Sequence, residues 1–485
     1  MKELDLVFSR GYINGEWVEA NGSQVVSIVN PANGEMIATV PDMGKQEAET
    51  AVIAAHHAFQ SWRKTSAKYR AGLLRKWFDL MVENAESLAT LLTSEQGKPY
   101  KEAYGEVIYG ASFLEWFAEE AKRTYGDIIP AANSHNRYMT IKQPVGVVSA
   151  ITPWNFPVAM ITRKVGPALA AGCTVVIKPG EDTPLCALAM AALAEQAGIP
   201  KGVVNVVTTS RPAEVGEVLC QHPLVRKVSF TGSTPVGKLI LRQAADTVKK
   251  VSMELGGNAP FIVFEDADIE KAVQGALLSK YRNAGQTCVC TNRLYVHDDI
   301  YDEFMAQFTK AVANLKIGNG LVEDTDIGPL INAKAIEKVT GLVETAIEQG
   351  ATLAWGGSVS DVGRQFFQPT ILTDVNEQMD IAHQELFGPV STVFRFNDEA
   401  DVIKRANATP YGLAAYFYTR DNSRVWRVSE ELEYGIVGIN EGIISTEVAP
   451  FGGVKESGCG REGSKYGIDD YLEVKYLCTS IDERS

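Results

Sequence analysis

The stretch VGVVSAI, residues 145–151, is a short apolar run rich in valine and bounded by proline-containing segments. Four further runs of the same kind follow it, separated by helix-like segments: TVVI (174–177), VVNVV (203–207), KVSF (227–230) and KKVSM (249–253). Strands buried on both faces are apolar throughout, and strands that alternate with helices form parallel sheets. The runs therefore predict an α/β fold with a parallel sheet covered on both faces, an architecture that commonly binds nucleotides.

Helical and α/β regions flank this central sheet. Residues 45–93 carry apolar side chains at spacings of three and four, which predicts helices. A second α/β region begins near Pro260 and contains FIVF (261–264), a helix over 268–281, LYV (294–296) and two amphipathic helices that end near residues 315 and 349. We expect this region to form a second domain.

Two strand-like segments, residues 138–142 and 472–478, belong to neither α/β region. An isolated strand leaves its backbone N–H and C=O groups unpaired, and such arms commonly pair between subunits. The segments therefore predict a protein that is not a monomer. The chain contains no internal repeat and no low-complexity tract.

The overall composition limits the classes of protein to consider. The chain has 485 residues, 45% hydrophobic and 22% charged, as expected of a globular protein with two or three structural units. A net charge of −14 and scattered basic residues argue against nucleic-acid binding. No signal-peptide pattern opens the chain, and its apolar stretches are too short to span a bilayer. Seven irregularly spaced cysteines and six histidines without paired spacing favour a reducing, cytoplasmic location and no metal site.

Two residues stand out as candidates for catalysis. Cys288 lies in YRNAGQTCVCTNR (281–293), after a turn-forming stretch at the end of a predicted helix. A loop cysteine near backbone N–H groups is often partly thiolate at neutral pH, and a thiolate is a strong nucleophile. Glu254 closes a predicted strand in MELGGNAP (253–260), at the strand end where open α/β sheets bind ligands. Taken alone, each is more often structural, as a buried inert thiol or a solvated carboxylate.

Seven motifs in a fixed order give these residues a context. They are ITPWNFP (151–157), VIKPGEDTP (176–184), FTGSTPVG (230–237), MELGGNAP (253–260), GQTCVC (285–290), ELFGP (385–389) and PFGGVKESGCGRE (450–462). Over nearly the whole chain this set resembles the aldehyde dehydrogenase superfamily. The resemblance implies an NAD(P)-binding domain, an α/β catalytic domain and a small β oligomerisation arm in a homotetramer or homodimer. The implied bounds are 1–121 and 145–256 for the first, 257–456 for the second, and 122–144 and 457–485 for the arm.

The resemblance also implies a catalytic role for three residues. Cys288 matches the nucleophile that attacks the aldehyde, and the Asn155 amide, with the cysteine's own N–H, matches the oxyanion donors, typically worth about 3 kcal/mol each. Hydride transfer to the nicotinamide leaves a thioester. Glu254 matches the general base that activates water to hydrolyse it, for which a modestly raised pKa suffices. Relatives that transfer or release the acyl group differently tend to lack this glutamate, so a carboxylic acid is the expected product.

The same resemblance implies the cofactor site. Lys178 resembles the lysine that binds the adenosine ribose, and Glu385 matches the carboxylate on the nicotinamide ribose. Gly232 and Ser233 open a predicted helix, whose N–H groups and dipole favour phosphate. Glu181 is suited to a free 2′-hydroxyl and Lys178 to a 2′-phosphate, so NAD and NADP both stay open, with a slight preference for NADP. The other implied cofactor-binding residues are Trp154, Gly237 and Leu255.

A second glycine motif is a decoy. Residues 458–463 fit G-x-G-x-x-G, but no predicted strand precedes them and no βαβ unit follows. The dinucleotide fingerprint requires both. We therefore interpret this segment as a loop that borders the mouth of the active site.

Three further residues indicate the substrate. Arg163, Arg282 and Ser445 match the carboxylate-binding positions of the succinate-semialdehyde dehydrogenases, a branch of the family that the chain resembles closely. Guanidinium groups suit bidentate carboxylate recognition, although either arginine alone is as often an ordinary ion-pair partner. The resemblance therefore implies oxidation of succinate semialdehyde to succinate, a step of 4-aminobutyrate (GABA) degradation.

Two alternatives remain open for the substrate and the class of protein. Glutarate semialdehyde is the nearest competing substrate, because one methylene gives only about 1–3 kcal/mol of discrimination. The alternative of a different class is a non-catalytic nucleotide-binding protein, which would have no need to keep Cys288, Glu254 and Asn155 together.

A second thiol, Cys290, lies two residues beyond the candidate nucleophile. Some relatives close a disulfide between these two positions under oxidation, which would block the enzyme reversibly. A small packed residue at this position is an equally good interpretation.

Overall fold

The computed structural model of the chain describes residues 6–481, in which the strands form four β-sheets. The strands are β1 (Gly11–Ile13), β2 (Glu16–Val18), β3 (Val25–Val29), β4 (Met36–Pro41), β5 (Ile128–Ile129), β6 (Asn136–Pro144), β7 (Val147–Ile151), β8 (Thr174–Lys178), β9 (Val204–Val206), β10 (Val225–Thr231), β11 (Lys250–Glu254), β12 (Ala259–Val263), β13 (Thr291–His297), β14 (Thr352–Trp355), β15 (Thr370–Thr373), β16 (Val390–Phe396), β17 (Ala414–Tyr418), β18 (Ile436–Ile439), β19 (Gly458–Cys459) and β20 (Leu472–Ser480). The α-helices are α1 (Lys45–Trp62), α2 (Ala67–Glu83), α3 (Ala85–Gln96), α4 (Tyr100–Glu120), α5 (Ala159–Ala171), α6 (Leu185–Gln196), α7 (Pro212–Gln221), α8 (Thr234–Ala245), α9 (Ile269–Tyr281), α10 (Tyr301–Ala313), α11 (Ala333–Glu348), α12 (Glu399–Asn407) and α13 (Asn422–Glu431). Within this part of the chain, no helix is long and apolar enough to cross a membrane.

The largest sheet has eight strands in the order β19-β11-β10-β7-β8-β9-β1-β2. Its centre, from β11 to β9, is parallel throughout. These are the five strands predicted from the apolar runs, so the predicted parallel sheet is confirmed, with strand ends within two residues of the runs. The structure adds two antiparallel edges, the β1–β2 hairpin on β9 and the short β19 on β11.

Both faces of this sheet are buried, as the uninterrupted apolar runs predict. Val148 and Val175 pack into a core built with α2 to α6, whereas Val147 and Val176 pack into a second core built with α1 and α7. Successive side chains of a strand point to opposite faces, so each strand supplies both cores. This double burial explains why these strands do not alternate between polar and apolar residues.

The second α/β region forms a seven-stranded sheet in the order β14-β15-β16-β13-β12-β17-β18. All of its pairings are parallel except β14 with β15. Its core includes buried side chains of α9, α10, α11 and α12. The region from Pro260 onward thus contains a sheet of its own, packed with helices around its own core.

The two arm segments form a third sheet, in the order β20-β6-β5. β6 and β20 pair antiparallel along nine residues, from Leu472 opposite Pro144 to Ser480 opposite Asn136. Neither segment joins one of the two large sheets, but Leu472 at the start of β20 packs into the first core. The strand with which each segment pairs here lies in the same chain rather than in another subunit. The segment expected to serve oligomerisation is also divided, because β19 lies within residues 457–485 yet joins the edge of the first sheet.

The order of the elements places the candidate residues at the junction of the two large sheets. Asn155 follows β7 and Glu254 ends β11, so both lie at carboxyl ends of strands in the first sheet. Cys288 precedes β13 and Glu385 precedes β16, so both lie at amino ends of strands in the second sheet. These two edges border a common cleft, in which backbone N–H of Gly257 donates to Oε1 of Glu385 at 3.0 Å.

Candidate active site

Cys288 lies where two cavities meet. One cavity, of about 360 Å³, is also lined by Trp154, Asn155 and residues of α11. The other, of about 280 Å³, is also lined by Arg163, Arg282 and Ser445. The structure thus brings the candidate nucleophile, a candidate oxyanion donor and all three candidate substrate-binding residues around one point. Cavities of this size accommodate small ligands.

The loop that carries Cys288 has an unusual backbone. Asn283, Ala284 and Gly285 have φ of 53°, 55° and 74°, so three consecutive residues lie in the left-handed region. The side chain of Gln286 donates to the Asn283 carbonyl at 3.0 Å and accepts from the backbone N–H of Ile331 at 3.0 Å. Such conformations persist only where the surroundings hold them, and they cluster at functional sites. The loop therefore presents Cys288 from a fixed turn.

The environment of Cys288 keeps its thiol protonated. The side chain is only partly exposed, and burial raises the pKa of Cys288 to about 12. Arg163 and Arg282 lower this pKa, whereas Glu385 and Glu254 raise it further. The expected partial thiolate at neutral pH is therefore corrected: without bound ligands, removal of water from the thiolate outweighs the nearby positive charge.

Asn155 is held by its backbone and its side chain. Its Nδ2 donates to the carbonyl of Gln286 at 2.9 Å. Its backbone carbonyl accepts from Nζ of Lys98 at 2.8 Å and from Nδ2 of Asn283 at 3.0 Å. Since Nδ2 carries two hydrogens, one remains available to a ligand in the cavity that Asn155 shares with Cys288. This is the arrangement that an oxyanion donor needs.

Lys98 and Glu106 form a buried ion pair beneath this loop. Oε1 of Glu106 accepts from the backbone N–H of Val158 at 2.9 Å, at the start of α5. Burial lowers the pKa of Lys98, and Glu106 opposes that shift. Sequence reasoning missed this pair. The only sequence signal for it is that Glu106 lies among apolar residues of a helical pattern. No local feature of the sequence shows that Lys98 contacts Asn155.

Glu254 is buried, and neither carboxylate oxygen has a hydrogen-bond partner in the described chain. Burial and the neighbouring Glu462 raise the pKa of Glu254 well above its usual value, while Arg163 and Lys164 lower it. A modestly raised pKa suffices for a general base, and the pKa of Glu254 is raised by more than that. Glu254 lines neither cavity. It lies opposite Gly458 of β19, so the decoy glycine motif borders the candidate base, as interpreted from the sequence.

Glu462 is the second carboxylate of this cluster, and sequence reasoning gave it no role. It ion-pairs with Lys164, and its Oε2 lies 2.9 Å from Nε of Arg163. Although burial opposes ionisation, Lys164 and Arg163 lower the pKa of Glu462 below its usual value. Two buried carboxyl groups thus have oppositely shifted pKa values, a pattern common at catalytic sites. The motif that contains Glu462 was the signal for its proximity to the site.

The smaller cavity presents positive charge to a ligand. Nη2 of the buried Arg163 has no hydrogen-bond partner in residues 6–481, and its guanidinium carbon lies 3.9 Å from the centre of the Phe451 ring. Arg282 lies 5.4 Å from the Phe156 ring and has no carboxylate within ion-pair distance in the described chain. Partly unsatisfied guanidinium groups in an enclosed cavity are suited to bind an anion.

The larger cavity contains several of the predicted cofactor-binding residues. Trp154, Gly232, Ser233, Leu255 and Glu385 line it. Ser233 is the N-cap of α8 but makes no side-chain cap, so the N–H groups of the first turn remain available for phosphate. Burial raises the pKa of Glu385 to about 7, and the Gly257 N–H and Lys338 oppose the shift.

Three predicted cofactor-binding residues do not line this cavity. Lys178 and Glu181 form an ion pair with each other beside it. Gly237 instead permits the packing of Leu255, because a Cβ at this position would lie 2.3 Å from Cδ2 of Leu255. The residues that line the cavity still fit a dinucleotide. The N-terminus of α8 is suited to bind phosphate, and the carboxylate of Glu385 in the same cavity is suited to bind ribose.

Cys290 is buried, and its Sγ donates to the carbonyl of Lys280 at 3.2 Å. Burial raises the pKa of Cys290, and Lys280 opposes the shift. Both Cys288 and Cys290 are free thiols in this structure.

Comparison with known proteins adds independent information. The sequence model described as "Aldehyde dehydrogenase family" matches residues 17–477. The chain is 58% identical over 481 residues to the NADP(+) succinate-semialdehyde dehydrogenase of Escherichia coli (strain K12), covering 99% of this chain and 100% of that protein. It is also 58% identical over 481 residues to a glutarate-semialdehyde dehydrogenase of Pseudomonas putida, with the same two coverages. Among solved structures, one titled "Crystal structure of E. coli NADP dependent enzyme" superposes with a TM-score of 0.98 at 58% identity, covering 99% of this chain and 100% of that chain.

Proposed function

Because this chain belongs to the aldehyde dehydrogenase family, we propose that it oxidises succinate semialdehyde to succinate with NADP or NAD, and that NADP is preferred. The observation that carries the substrate is the convergence of Arg163, Arg282 and Ser445 on the cavity that Cys288 also lines. A substrate carboxylate there would supply the acceptor that Nη2 of Arg163 lacks. A relative with 58% identity that is named for this substrate and NADP(+) supports the same assignment.

The first half of the proposed reaction takes place at Cys288. Its thiol transfers its proton to water, an ionisation that Arg163 and Arg282 favour, and the thiolate Sγ attacks the aldehyde carbon to form a thiohemiacetal anion. The remaining hydrogen on Nδ2 of Asn155 and the backbone N–H of Cys288 stabilise the oxyanion, at about 3 kcal/mol each. When bound, the nicotinamide supplies the chemistry of hydride acceptance. Collapse of the oxyanion then leaves a thioester on Cys288.

The second half releases the acid. Glu254 takes a proton from water, and the resulting hydroxide attacks the thioester carbon. The C–S bond breaks, which releases succinate and returns Cys288 as a thiolate that regains its proton. Arg163, Lys164 and Arg461 favour the ionised form of Glu254 that this step requires. Burial is the largest cause of the raised pKa of Glu254. Water that enters beside the carboxyl group would therefore lower this pKa and also favour the ionised form.

The cofactor would be held by residues from both large sheets. Gly232 and Ser233, at the N-terminus of α8, would bind phosphate, and Glu385 would bind the ribose next to the nicotinamide. Lys178 would bind the adenosine ribose or its 2′-phosphate, with Glu181 as its partner in the free protein. Trp154 and Leu255 would form the walls, and Gly237 lets Leu255 approach. This assignment keeps residues 1–121 and 145–256 as the NAD(P)-binding domain and 257–456 as the catalytic domain.

Glutarate semialdehyde is the second candidate substrate. The relative named for it has the same 58% identity and the same coverage as the one named for succinate semialdehyde. The two substrates differ by one methylene, which limits the expected discrimination to roughly 10- to 200-fold. The charge of the cavity does not distinguish them, since both carry a carboxylate.

Absorbance at 340 nm tests the proposal directly. Purified protein is mixed with NADP or NAD and with succinate semialdehyde, glutarate semialdehyde or butanal, and Cys288→Ala is the control. We expect reduced cofactor to form fastest with succinate semialdehyde and NADP, and not at all with the variant. Faster oxidation of glutarate semialdehyde would transfer the assignment to the second candidate. No signal with either cofactor would favour the non-catalytic alternative.

The proposal extends to assembly and location. We place the protein in the cytoplasm as a homotetramer or homodimer that acts in 4-aminobutyrate degradation. Free thiols at all seven cysteines support a reducing compartment. The separate β5–β6–β20 sheet, whose outer strands are free to pair further, supports assembly into an oligomer.

A further inference from the structure

One face of α4 forms a wall of the cavity that contains Arg163 and Arg282. Glu102, Gly105, Glu106 and Tyr109 all line this cavity. Their spacings of three, one and three residues place them on the same side of the helix. The face therefore offers three polar side chains to whatever occupies the cavity.

The two carboxylates on this face are already occupied by protein groups. Glu102 accepts from the backbone N–H of Asn283 at 2.7 Å. Glu106 pairs with Lys98 and accepts from the backbone N–H of Val158. Both therefore serve to hold the loops that carry Cys288 and Asn155, and neither is free to bind substrate.

The hydroxyl of Tyr109 differs from these carboxylates. It is buried, and within residues 6–481 no group meets it at hydrogen-bonding geometry. Buried hydroxyl groups in proteins nearly always have a partner, so one without any calls for an explanation. The ring is fixed by an edge-to-face contact with Phe113, whose centroid lies 5.0 Å away.

The groups that face this hydroxyl are the candidate ligands of the substrate carboxylate. Burial raises the pKa of Tyr109, the charges of Arg163 and Arg282 and the hydroxyl of Ser445 lower it, and the charge of the more distant Glu462, already paired with Arg163 and Lys164, raises it. The phenol keeps its proton at neutral pH and is a donor. Guanidinium groups only donate, and the Ser445 hydroxyl lies nearby without reaching hydrogen-bonding geometry, whereas an anionic ligand between these groups would provide a well-placed acceptor.

We propose that Tyr109 is a further substrate-binding residue, whose hydroxyl donates a hydrogen bond to the carboxylate of the bound semialdehyde. This inference rests on the proposed function, because it requires a substrate with a carboxylate. It assigns the carboxylate four ligands, namely Arg163, Arg282, Ser445 and Tyr109. It also makes Tyr109 a determinant of specificity, since a substrate without the carboxylate would leave the hydroxyl unsatisfied.

The test compares Tyr109→Phe with Tyr104→Phe. Tyr104 lies on the same helix but is 41% exposed and outside the cavity. The substrates are succinate semialdehyde and butanal, which has the same four carbons and no carboxylate. Loss of one charge-assisted hydrogen bond is expected to lower kcat/KM for succinate semialdehyde roughly 10- to 100-fold in Tyr109→Phe. Butanal oxidation should change less than about threefold, and Tyr104→Phe should match the wild type.

A binding measurement separates this role from a structural one. Inhibition by the product succinate is expected to weaken in Tyr109→Phe by a factor similar to the loss of kcat/KM. An equal loss for both aldehydes, or no loss for either, would overturn the role of Tyr109 while the wild type still prefers succinate semialdehyde. If the wild type itself shows no preference over butanal, the proposed function fails, and the inference that rests on it fails too.

Discussion

At the scale of single residues, the two arginines of the substrate cavity are held differently. Arg163 is paired with Glu462 and also lowers the pKa of both Cys288 and Glu254. Arg282 has no carboxylate partner in residues 6–481. Under the proposed function, we therefore expect substitution of Arg163 to disturb the chemistry as well as substrate binding, and substitution of Arg282 to affect chiefly the binding of the anion.

We expect Arg282→Met to lower kcat/KM for succinate semialdehyde roughly 10- to 100-fold, mainly through KM, because one charged hydrogen-bonding partner is lost. Butanal should be affected much less. Arg163→Met should lower kcat for both aldehydes. Steady-state kinetics with both substrates measures this. The control is Arg63→Met, because Arg63 is an exposed arginine directly after α1 and lines neither cavity. Equal losses for the two aldehydes in Arg282→Met would contradict a role in carboxylate recognition.

The raised pKa of Cys288 makes a prediction about pH. An ordinary thiol is half ionised near pH 8.5, so its alkylation rate levels off above that pH. The pKa of Cys288 is about 12, so the thiolate fraction should rise about tenfold with each pH unit throughout the range from 7 to 10. Iodoacetamide labelling of the ligand-free protein measures the rate, with Cys288→Ala subtracted to remove the other cysteines. A plateau at or below pH 8.5 would show that the thiol is ionised far more readily than its burial implies.

Cys290 makes a prediction about oxidation. If Cys288 and Cys290 close a disulfide, peroxide should inactivate the enzyme and dithiothreitol should restore it. In Cys290→Ala the sulfenic acid on Cys288 has no neighbouring thiol, so it should proceed to states that dithiothreitol cannot reverse. Activity after peroxide treatment and reduction distinguishes the two proteins. Irreversible loss in the wild type would favour the interpretation of Cys290 as a packed core residue.

At the scale of elements, the turn that precedes Cys288 depends on one glycine. Gly285 has φ of 74°, and a Cβ there would lie 2.1 Å from the carbonyl oxygen of Gly388. Neither the backbone conformation nor the contact tolerates a side chain. The register of Cys288 against Asn155 therefore rests on this position.

We expect Gly285→Ala to lower the melting temperature by several degrees and kcat by at least about tenfold, because the loop must move to relieve the contact. Gly72→Ala is the matched control. Gly72 lies in α2 with nothing within 4 Å of an added Cβ, so the same substitution should leave activity unchanged and stabilise by about 0.5–1 kcal/mol. Thermal melts and steady-state kinetics on both variants measure the contrast. Wild-type activity and stability in Gly285→Ala would refute the role of the turn.

Some elements can be predicted from the sequence and others cannot. The strands β7 to β11 were predictable because a strand that is buried on both faces has an unbroken run of apolar residues. The edge strands β1, β2 and β19 were not, since their pairing depends on residues far away in the chain. The same distinction holds at the site. The motifs made Cys288 and Asn155 candidates, and the resemblance added Arg163. The shifted pKa of Cys288 and the Lys98–Glu106 ion pair arise from burial and from contacts between distant parts of the chain, which no local pattern predicts.

At the scale of the whole molecule, the site lies between two sheets that belong to different cores. The carboxyl edge of the first sheet supplies Asn155 and Glu254, and the amino edge of the second supplies Cys288 and Glu385. The α4 helix, which packs with the first core, provides a wall of the substrate cavity through Tyr109. We therefore expect the chemistry to depend on how the two sheets are positioned relative to each other. The turn at residues 283–285 helps to set the position of Cys288 between them.

The β5–β6–β20 sheet is the part of the molecule least explained by a single chain. β20 is an edge strand, so one side of its backbone has no strand partner among the described residues. Its Val474 and Tyr476 are 66% and 57% exposed, and Ile128 of β5 is 88% exposed. Both outer strands of this sheet thus carry exposed apolar side chains, and an edge strand of this kind is suited to pairing with another copy of the chain.

We expect a chain that ends after Leu472 to lose its oligomeric state while keeping its fold, because Tyr471 and Leu472 remain to fill the first core. Size-exclusion chromatography with light scattering measures the mass, and circular dichroism checks the fold. Val474→Lys should weaken assembly in the full chain by placing a charge on the exposed edge, whereas Thr479→Lys, near the polar end of the same strand, should not. If the full chain has the mass of a monomer, or the shortened chain keeps the mass of the intact assembly, β20 is not the assembly element, and the pairing between β6 and β20 serves only the single chain.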